Sequence, residues 1–272
     1  MTTHNFLLTA TKQLQKAGID SARLDVLLLL EDALGRNRAE LLAHPELSVP
    51  QAKETVLNEQ IARRATHVPL AYIRGHAPFY GREFRVNERV LVPRPESEAM
   101  ITLLKQWHRE QAPHQLLIAD IGTGSGCLGV TAALELPNIH SIALCDTSQE
   151  ALMIALENAR HYEVTAIPYR MDLLEQPFAA DYQVFLANLP YVPETLEINE
   201  AAKHEPKTAI FSGPDGLDHF KRFWRQVSEL GEPPACIVTE ALPAQHHTMA
   251  TMARGAGFVL RANDGFAQLF VR

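Results

Sequence analysis

From Gln115 to the C-terminus, short apolar runs alternate with stretches of helical period: "LLIADI", "CLGVTAALEL", "SIALCD", "SQEALMIALENARHY", "TAIPYRMD", "YQVFLAN" and their successors. Short apolar runs bounded by turn residues read as buried strands, and the segments between them repeat at about 3.6 residues. This alternation excludes an all-helical bundle and an antiparallel sandwich. It predicts an α/β fold, a doubly wound, mostly parallel sheet with ligands expected beyond the carboxyl ends of the strands. The last two runs, "FVLRAN" and "AQLFVR", are separated only by Asp264-Gly265 and predict an antiparallel pair ending the sheet.

The N-terminal part has a different pattern. "FLLTATKQLQKAG" puts Phe6, Leu7, Thr11 and Leu14 near one helical face, with Gly18 to stop the helix. "DSARLDVLLLLEDALG" starts at a capping Asp20 or Ser21 and ends at Gly35, and a later helix carries Val56, Leu57 and Ile61. Residues 1–70 therefore read as a small helical bundle with no chemistry of its own, suited to hold a partner or to buttress the main domain. Residues 71–90 read as a β-hairpin linker, "YIRGHAPFYGREFRV", with Gly75 and Gly81 at its turns. Residues 91–272 form the α/β domain, entered through the two prolines of "VLVPRPESE" with a helix beginning near Glu96.

The opening "MTTHNFLLTATKQLQ" lacks a basic region followed by an apolar core, so no secretory signal is expected. The longest apolar run, Val26 to Leu30, is far too short for a membrane span. Cys127, Cys145 and Cys236 are widely spaced with no C-x-x-C pair, which fits reduced thiols in a cytoplasmic protein and no zinc site. Residues 1–75 hold 9 Lys+Arg against 8 Asp+Glu, and the remainder 16 against 24, so the net charge of -7 divides into +1 and -8. An acidic main domain argues against non-specific binding to phosphate backbones.

Four strand ends carry the candidate chemistry. The first runs into "ADIGTGSGC", where Gly122, Thr123, Gly124, Ser125 and Gly126 form a G-x-G-x-G loop before a helix. Such a loop lets a cofactor approach the backbone. It lacks the lysine of a phosphate loop and the spacing of the dinucleotide fingerprint; a tightly packed turn is the bland alternative. The second strand ends at Asp146, whose carboxylate can accept both hydroxyls of a ribose or cap the next helix. The third leads to Asp172 and Leu173, suited to bracket an adenine or simply to form a loop. The fourth, "QVFLAN", stops at Asn188-Leu189-Pro190-Tyr191. The twelve histidines show no metal spacing, and His246-His247 reads as a helix surface.

This order resembles the class I S-adenosylmethionine-dependent methyltransferases, and the tetrapeptide is similar to the Asn-Pro-Pro-Tyr motif of those that methylate a planar amide or exocyclic amino nitrogen. The resemblance implies S-adenosyl-L-methionine as cofactor, bound by residues 122–126, Asp146, Asp172, Leu173 and Asn188, with no metal. It implies that Asn188 and the Leu189 carbonyl accept the two N–H groups of the target nitrogen while Pro190 and Tyr191 complete the site. "PLAYIRGHAPFYGREFRVNERVLVPRPESE" and "HEPKTAIFSGPDGLDHFKR" are similar to segments of the bacterial protein-glutamine methyltransferases of the release-factor (HemK/PrmC) type. That family methylates the glutamine of the Gly-Gly-Gln motif in class I peptide chain release factors. The bundle is then the release-factor-binding domain, Arg94 and Glu98 shape a lid, and the protein is a cytoplasmic monomer without direct nucleic-acid or membrane contact. The other readings are a glutamine methyltransferase of a ribosomal protein, a nucleic-acid adenine-N6 methyltransferase and a non-catalytic cofactor-binding scaffold. Three departures stand out: Leu189 in place of the motif's first proline, Ala241-Leu242 after Glu240 in place of a Gly-containing turn, and Met171 before Asp172.

Overall fold

The computed structural model describes residues 1–111, 116–139 and 141–272. Gln115, where the α/β pattern was expected to begin, lies outside the described residues. The chain forms two compact units, Met1–His76 with Asn199–His204, and Ala77–Ile198 with Glu205–Arg272.

The first unit holds α1 (Thr3–Lys16), α2 (Ala22–Leu34), α3 (Arg38–Ala43), α4 (Gln51–Ala65) and α5 (Leu70–Arg74). Phe6, Leu14, Val26, Leu30, Leu57 and Ile61 make its core. Thr2 caps α1 by accepting from Asn5 N, and Asn37 with Glu40 closes a capping box on α3. Asp25 is buried on α2 and is paired with Arg64 at 2.7 Å, and Arg64 also donates to the Val68 carbonyl. Several local expectations are corrected. Ser21 precedes α2 but makes no side-chain cap. Val56 is 52% exposed, so α4 buries a narrower stripe of Leu57 and Ile61. On α1, Thr3 and Ala10 join Phe6 and Leu14 inside, whereas Leu7 and Thr11 are half-buried.

The predicted hairpin starts later than its apolar pattern suggested. Tyr72, Ile73 and Arg74 belong to α5, which Gly75 ends with a left-handed φ of 81°. The hairpin is β1 (His76–Phe79) and β2 (Arg82–Arg85). Tyr80 and Gly81 between them have φ of 51° and 73°, the conformation that a two-residue turn requires.

The second unit continues through α6 (Glu98–Gln111), β3 (Ile118–Ile121), α7 (Cys127–Glu135), β4 (Ile142–Asp146), α8 (Gln149–His161), β5 (Ala166–Arg170) and β6 (Val184–Ala187). It closes with α9 (Asp218–Glu229), β7 (Cys236–Glu240), α10 (His246–Gly255), β8 (Val259–Asp264) and β9 (Ala267–Val271). The sheet order is β5-β4-β3-β6-β7-β9-β8, with β9 antiparallel to both its neighbours. Successive strand residues alternate between two cores. Ile118, Leu144, Leu186 and Val238 meet α6 and α7, while Ala119, Cys145, Phe185 and Ile237 share a core with Phe223, Trp224 and Met249 of α9 and α10.

The register places the strand ends. Ile121 pairs with Cys145 on one side and with Ala187 on the other. Ala187 pairs with Thr239 in turn. Gly122, Asp146, Asn188 and Glu240 therefore leave the sheet side by side. The chain winds outward from β3 to β5 and returns at β6, so this row straddles the switch point of the sheet, where open α/β sheets bind ligands.

Candidate functional site

The glycine loop is shaped by its backbone. Gly122, Gly124 and Gly126 all have positive φ, of 71°, 54° and 79°. Gly122 N and Thr123 N both donate to the Cys145 carbonyl, at 2.8 and 2.9 Å. A Cβ on Gly126 would sit 3.0 Å from Ala155, whereas one on Gly124 would meet nothing within 4 Å. Gly126 is thus bare so that α7 can approach α8, and Gly124 so that the cleft stays open. Thr123 and Ser125 are buried and line the cleft. Thr123 Oγ1 turns inward to Asp120 at 2.7 Å, and Asp120 also accepts from Gly129 N. Burial pushes the Asp120 carboxyl up to about 6 against these two hydrogen bonds.

Asp146 serves both the start of α8 and the glycine loop. Ser148 caps α8 through its side chain, but Asp146 accepts from Ser148 N at 2.9 Å and from Gly124 N at 3.0 Å. One carboxylate thus ties the glycine loop to the start of α8 and still lines the cleft. Burial raises its pKa, and the three backbone N–H groups of Ser148, Gly124 and Thr147 oppose that shift. Asp172 also lines the cleft, with Oδ2 held by Arg222 at 2.7 Å. Leu173 is buried at a φ of 54°. Met171 is buried beside it, a core residue of the α9 face.

The tetrapeptide after β6 is anchored at both ends. Asn188 Nδ2 donates to Ser97 Oγ at 2.9 Å. Among the described residues nothing donates to Asn188 Oδ1 or to the Leu189 carbonyl. Leu189 is buried, and its Cδ2 lies 3.1 Å from the position of a Cβ on Gly122. Pro190 follows it and restricts its backbone to extended conformations, so part of the rigidity of the missing proline is retained. Tyr191 is placed differently from Asn188, Leu189 and Pro190, which line the cleft. Its hydroxyl donates to Glu240 Oε1 at 2.7 Å, and its carbonyl accepts from Gln245 Nε2 at 2.9 Å. The turn after Glu240 needs no glycine: Leu242 has φ -60°, and its N–H donates to Gln245 Oε1. Of the two histidines on α10, His247 is exposed, but His246 is half-buried and its Nε2 meets the Ala241 carbonyl at 3.1 Å.

Two buried polar residues, Asn158 and Glu205, and the half-buried Glu98 hold these parts together. Asn158 on α8 accepts from Arg85 N at 2.8 Å and donates to the Arg85 and Ser125 carbonyls at 3.0 and 2.8 Å. Glu205 accepts from Val92 N at 3.0 Å and pairs with Arg94 at 2.7 Å, securing the strap that lines one wall of the cleft. Glu98 instead accepts from Tyr80 N at 2.7 Å and supports the hairpin turn. Sequence reasoning passed over Ser97, Asn158, Glu205 and Glu240. For Glu240 a signal existed, since it is an acid at a strand's carboxyl end, as Asp146 is. Among the described residues no His, Cys, Asp and Glu group could hold a metal ion, and no helix is long and apolar enough to cross a membrane.

Comparison with known proteins agrees with this architecture. Residues 5–75 match the family described as PrmC N-terminal domain, and residues 97–205 match the methyltransferase small domain. A release factor glutamine methyltransferase of Bacillus anthracis is 36% identical over 247 residues, covering 88% of this chain and 86% of that protein. The chain belongs to the release factor glutamine methyltransferase family. A second member, from Koribacter versatilis (strain Ellin345), is 37% identical over 241 residues, covering 85% of this chain and 83% of that protein. The catalytic domain of hMettl16, solved with the MAT2A 3'UTR hairpin 6, has a TM-score of 0.54 at 13% identity. The match covers 78% of this chain and 81% of that one, a likeness of fold alone. Membership gives an S-adenosylmethionine-dependent methyltransferase with the family's α/β fold.

Proposed function

We propose that this chain transfers the methyl group of S-adenosylmethionine to the side-chain amide nitrogen of the Gly-Gly-Gln glutamine in a class I peptide chain release factor, acting as a cytoplasmic monomer. The residues fit the cofactor: a bare left-handed loop, a carboxylate at the end of β4 and a buried apolar wall, with no lysine for a pyrophosphate. Residues 122–126 would hold it through their backbone, Asp146 through the ribose hydroxyls, and Asp172 and Leu173 around the adenine. Bound there, it supplies an electrophilic methyl group on a sulfonium.

An amide nitrogen is a poor nucleophile because its lone pair is delocalised. Asn188 Oδ1 and the Leu189 carbonyl accept its two N–H groups, turn the lone pair toward the methyl donor and stabilise positive charge as it develops. Pro190 bounds the site and excludes water, while Tyr191, tied to Glu240 and Gln245, anchors the end of the tetrapeptide. No strong base is needed, because the nitrogen sheds its proton after it becomes cationic. Residues 1–70 bind the release factor, 71–90 link the domains, and 91–272 carry the reaction.

One observation supports the reading most directly. Asn188 has its amino end engaged by Ser97 and its carbonyl end without a partner among the described residues, beside the glycine loop. Asn188→Ala tests it. Methyl transfer should fall by about 100-fold or more, with most of the cofactor affinity retained by calorimetry. Wild-type turnover in the variant would remove Asn188 from the mechanism.

A further inference from the structure

One stripe of α9 lies along the loop that follows β5. Arg222 holds Asp172 Oδ2 at 2.7 Å, and Gln226 Oε1 accepts from Leu174 N at 3.0 Å. His219 precedes these two by the i+3 and i+7 spacing of one helical face. Of the three, His219 is the one that lines the cleft, where it stands with Asp172 and Leu173.

The His219 ring is fixed by Ser212, a buried hydroxyl. Ser212 Oγ accepts from His219 N at 2.9 Å and lies 2.7 Å from His219 Nδ1. A buried hydroxyl has one proton to give, and among the described residues Nδ1 is the acceptor it meets. Ser212 therefore donates to Nδ1, which puts the proton of the neutral imidazole on Nε2. Nε2 makes no hydrogen bond among the described residues, yet it is not one of the buried atoms left without a partner. It is thus a donor open to the cleft. Burial lowers the pKa of the ring and Arg222 lowers it further, while Asp172 and Asp218 oppose them, so the neutral form is the one held at pH 7.

We propose that His219 is a cofactor-binding residue whose Nε2–H donates to N1 of the adenine of S-adenosylmethionine, beside the Asp172 carboxylate that accepts from the exocyclic amino group. Arg222 takes Asp172 Oδ2, and Oδ1 has no donor among the described residues. The pair offers an acceptor next to a donor. The Watson–Crick edge of adenine offers the complement, an amino donor next to the N1 acceptor. Hypoxanthine has the reverse on that edge, and would set oxygen against carboxylate and N–H against N–H. A site built on paired groups rejects a ligand that leaves them unpaired.

The inference rests on the reading of Asp172 and Leu173 as the adenine subsite. Calorimetric titration of the purified protein with S-adenosylhomocysteine and two analogues tests it without turnover. One analogue carries hypoxanthine in place of adenine; the other, the 1-deaza form, has C–H in place of N1. Wild type should bind each analogue roughly 10-fold or more weakly than S-adenosylhomocysteine. His219→Asn keeps an acceptor for the Ser212 hydroxyl but is too short to carry a donor to the place of Nε2. It should bind S-adenosylhomocysteine roughly 10-fold more weakly than wild type and the 1-deaza analogue as wild type does. His219→Gln, whose amide N–H reaches the place of Nε2, should recover most of the affinity. A role confined to holding α9 would weaken both ligands by the same factor and would favour the asparagine over the glutamine. Equal loss on both ligands, or wild-type affinity in His219→Asn, overturns the inference. If wild type binds the hypoxanthine analogue as tightly as S-adenosylhomocysteine, the reading of the adenine subsite has itself failed. If it rejects that analogue but binds the 1-deaza form normally, only the role of His219 has failed.

Discussion

Asn158→Leu removes three hydrogen bonds at nearly constant volume from a side chain that is fully buried. It strands Arg85 N–H, the Arg85 carbonyl and the Ser125 carbonyl. A stranded buried group costs about 1–3 kcal/mol. Arg85 lies on an exposed strand position and can recruit water, so its two groups fall at the low end, whereas Ser125 is buried and falls nearer the middle. The sum, less the apolar gain of the leucine, is about 3 kcal/mol. For a unit of this size each kcal/mol lowers Tm by about 2–4 °C, so the expected drop is about 6–12 °C. Ser125 belongs to the glycine loop, so affinity for S-adenosylmethionine should also weaken. Thermal unfolding followed by circular dichroism, with calorimetric titration of the cofactor, reads both. A Tm within about 2 °C of wild type would refute the accounting. A large drop in Tm with unchanged cofactor affinity would confine Asn158 to holding the hairpin.

Three further outcomes follow from the same geometry. Gly216→Ala puts a Cβ 2.1 Å from the Tyr191 carbonyl at a φ of +76°, so methyl transfer should be lost; Gly265→Ala, at +56° with nothing within 4 Å, should cost about 1–2 kcal/mol in unfolding assays and leave turnover intact. Asp120 is pushed up to about 6 in the folded protein from an ordinary 3.8. The favourable contribution of its protonated form is complete below pH 3.8 and is lost as pH rises through 6. Cofactor-free wild type should therefore lose about 3 kcal/mol relative to Asp120→Asn across that window, read by denaturant unfolding, and parallel curves would contradict it. Glu205→Ala strands the half-buried Val92 N and Arg94, so it should lower Tm by about 2–8 °C and weaken cofactor binding by roughly 10-fold; unchanged affinity would separate the strap from the binding site.

The alternation of strands with helices, the antiparallel pair at the end and the contents of the strand ends were legible because they depend on local pattern. A buried parallel strand must be apolar throughout, so the residue at which "VFLA" gives way to Asn188 is visible without coordinates. What was missed is polar and buried. Asn158 sits mid-helix in "ALENARHY" with nothing nearby to distinguish it from a surface amide. Its partners are 73 and 33 residues away, and only the tertiary fold brings them together. Ser97 reads as part of a linker until Asn188, 91 residues later, is placed beside it. Gly75 was read as a hairpin turn because a left-handed glycine serves a helix end and a hairpin equally well, and the difference lies in the hydrogen bond from its N–H to the Ala71 carbonyl.

The central claim is that the amide held at Asn188 is a release-factor glutamine. Methyl transfer from labelled S-adenosylmethionine to a purified class I release factor tests it, beside a version whose Gly-Gly-Gln glutamine is changed to alanine. The account predicts label on the native factor and none on the variant. Label on both, or on neither while the cofactor still binds, would contradict it.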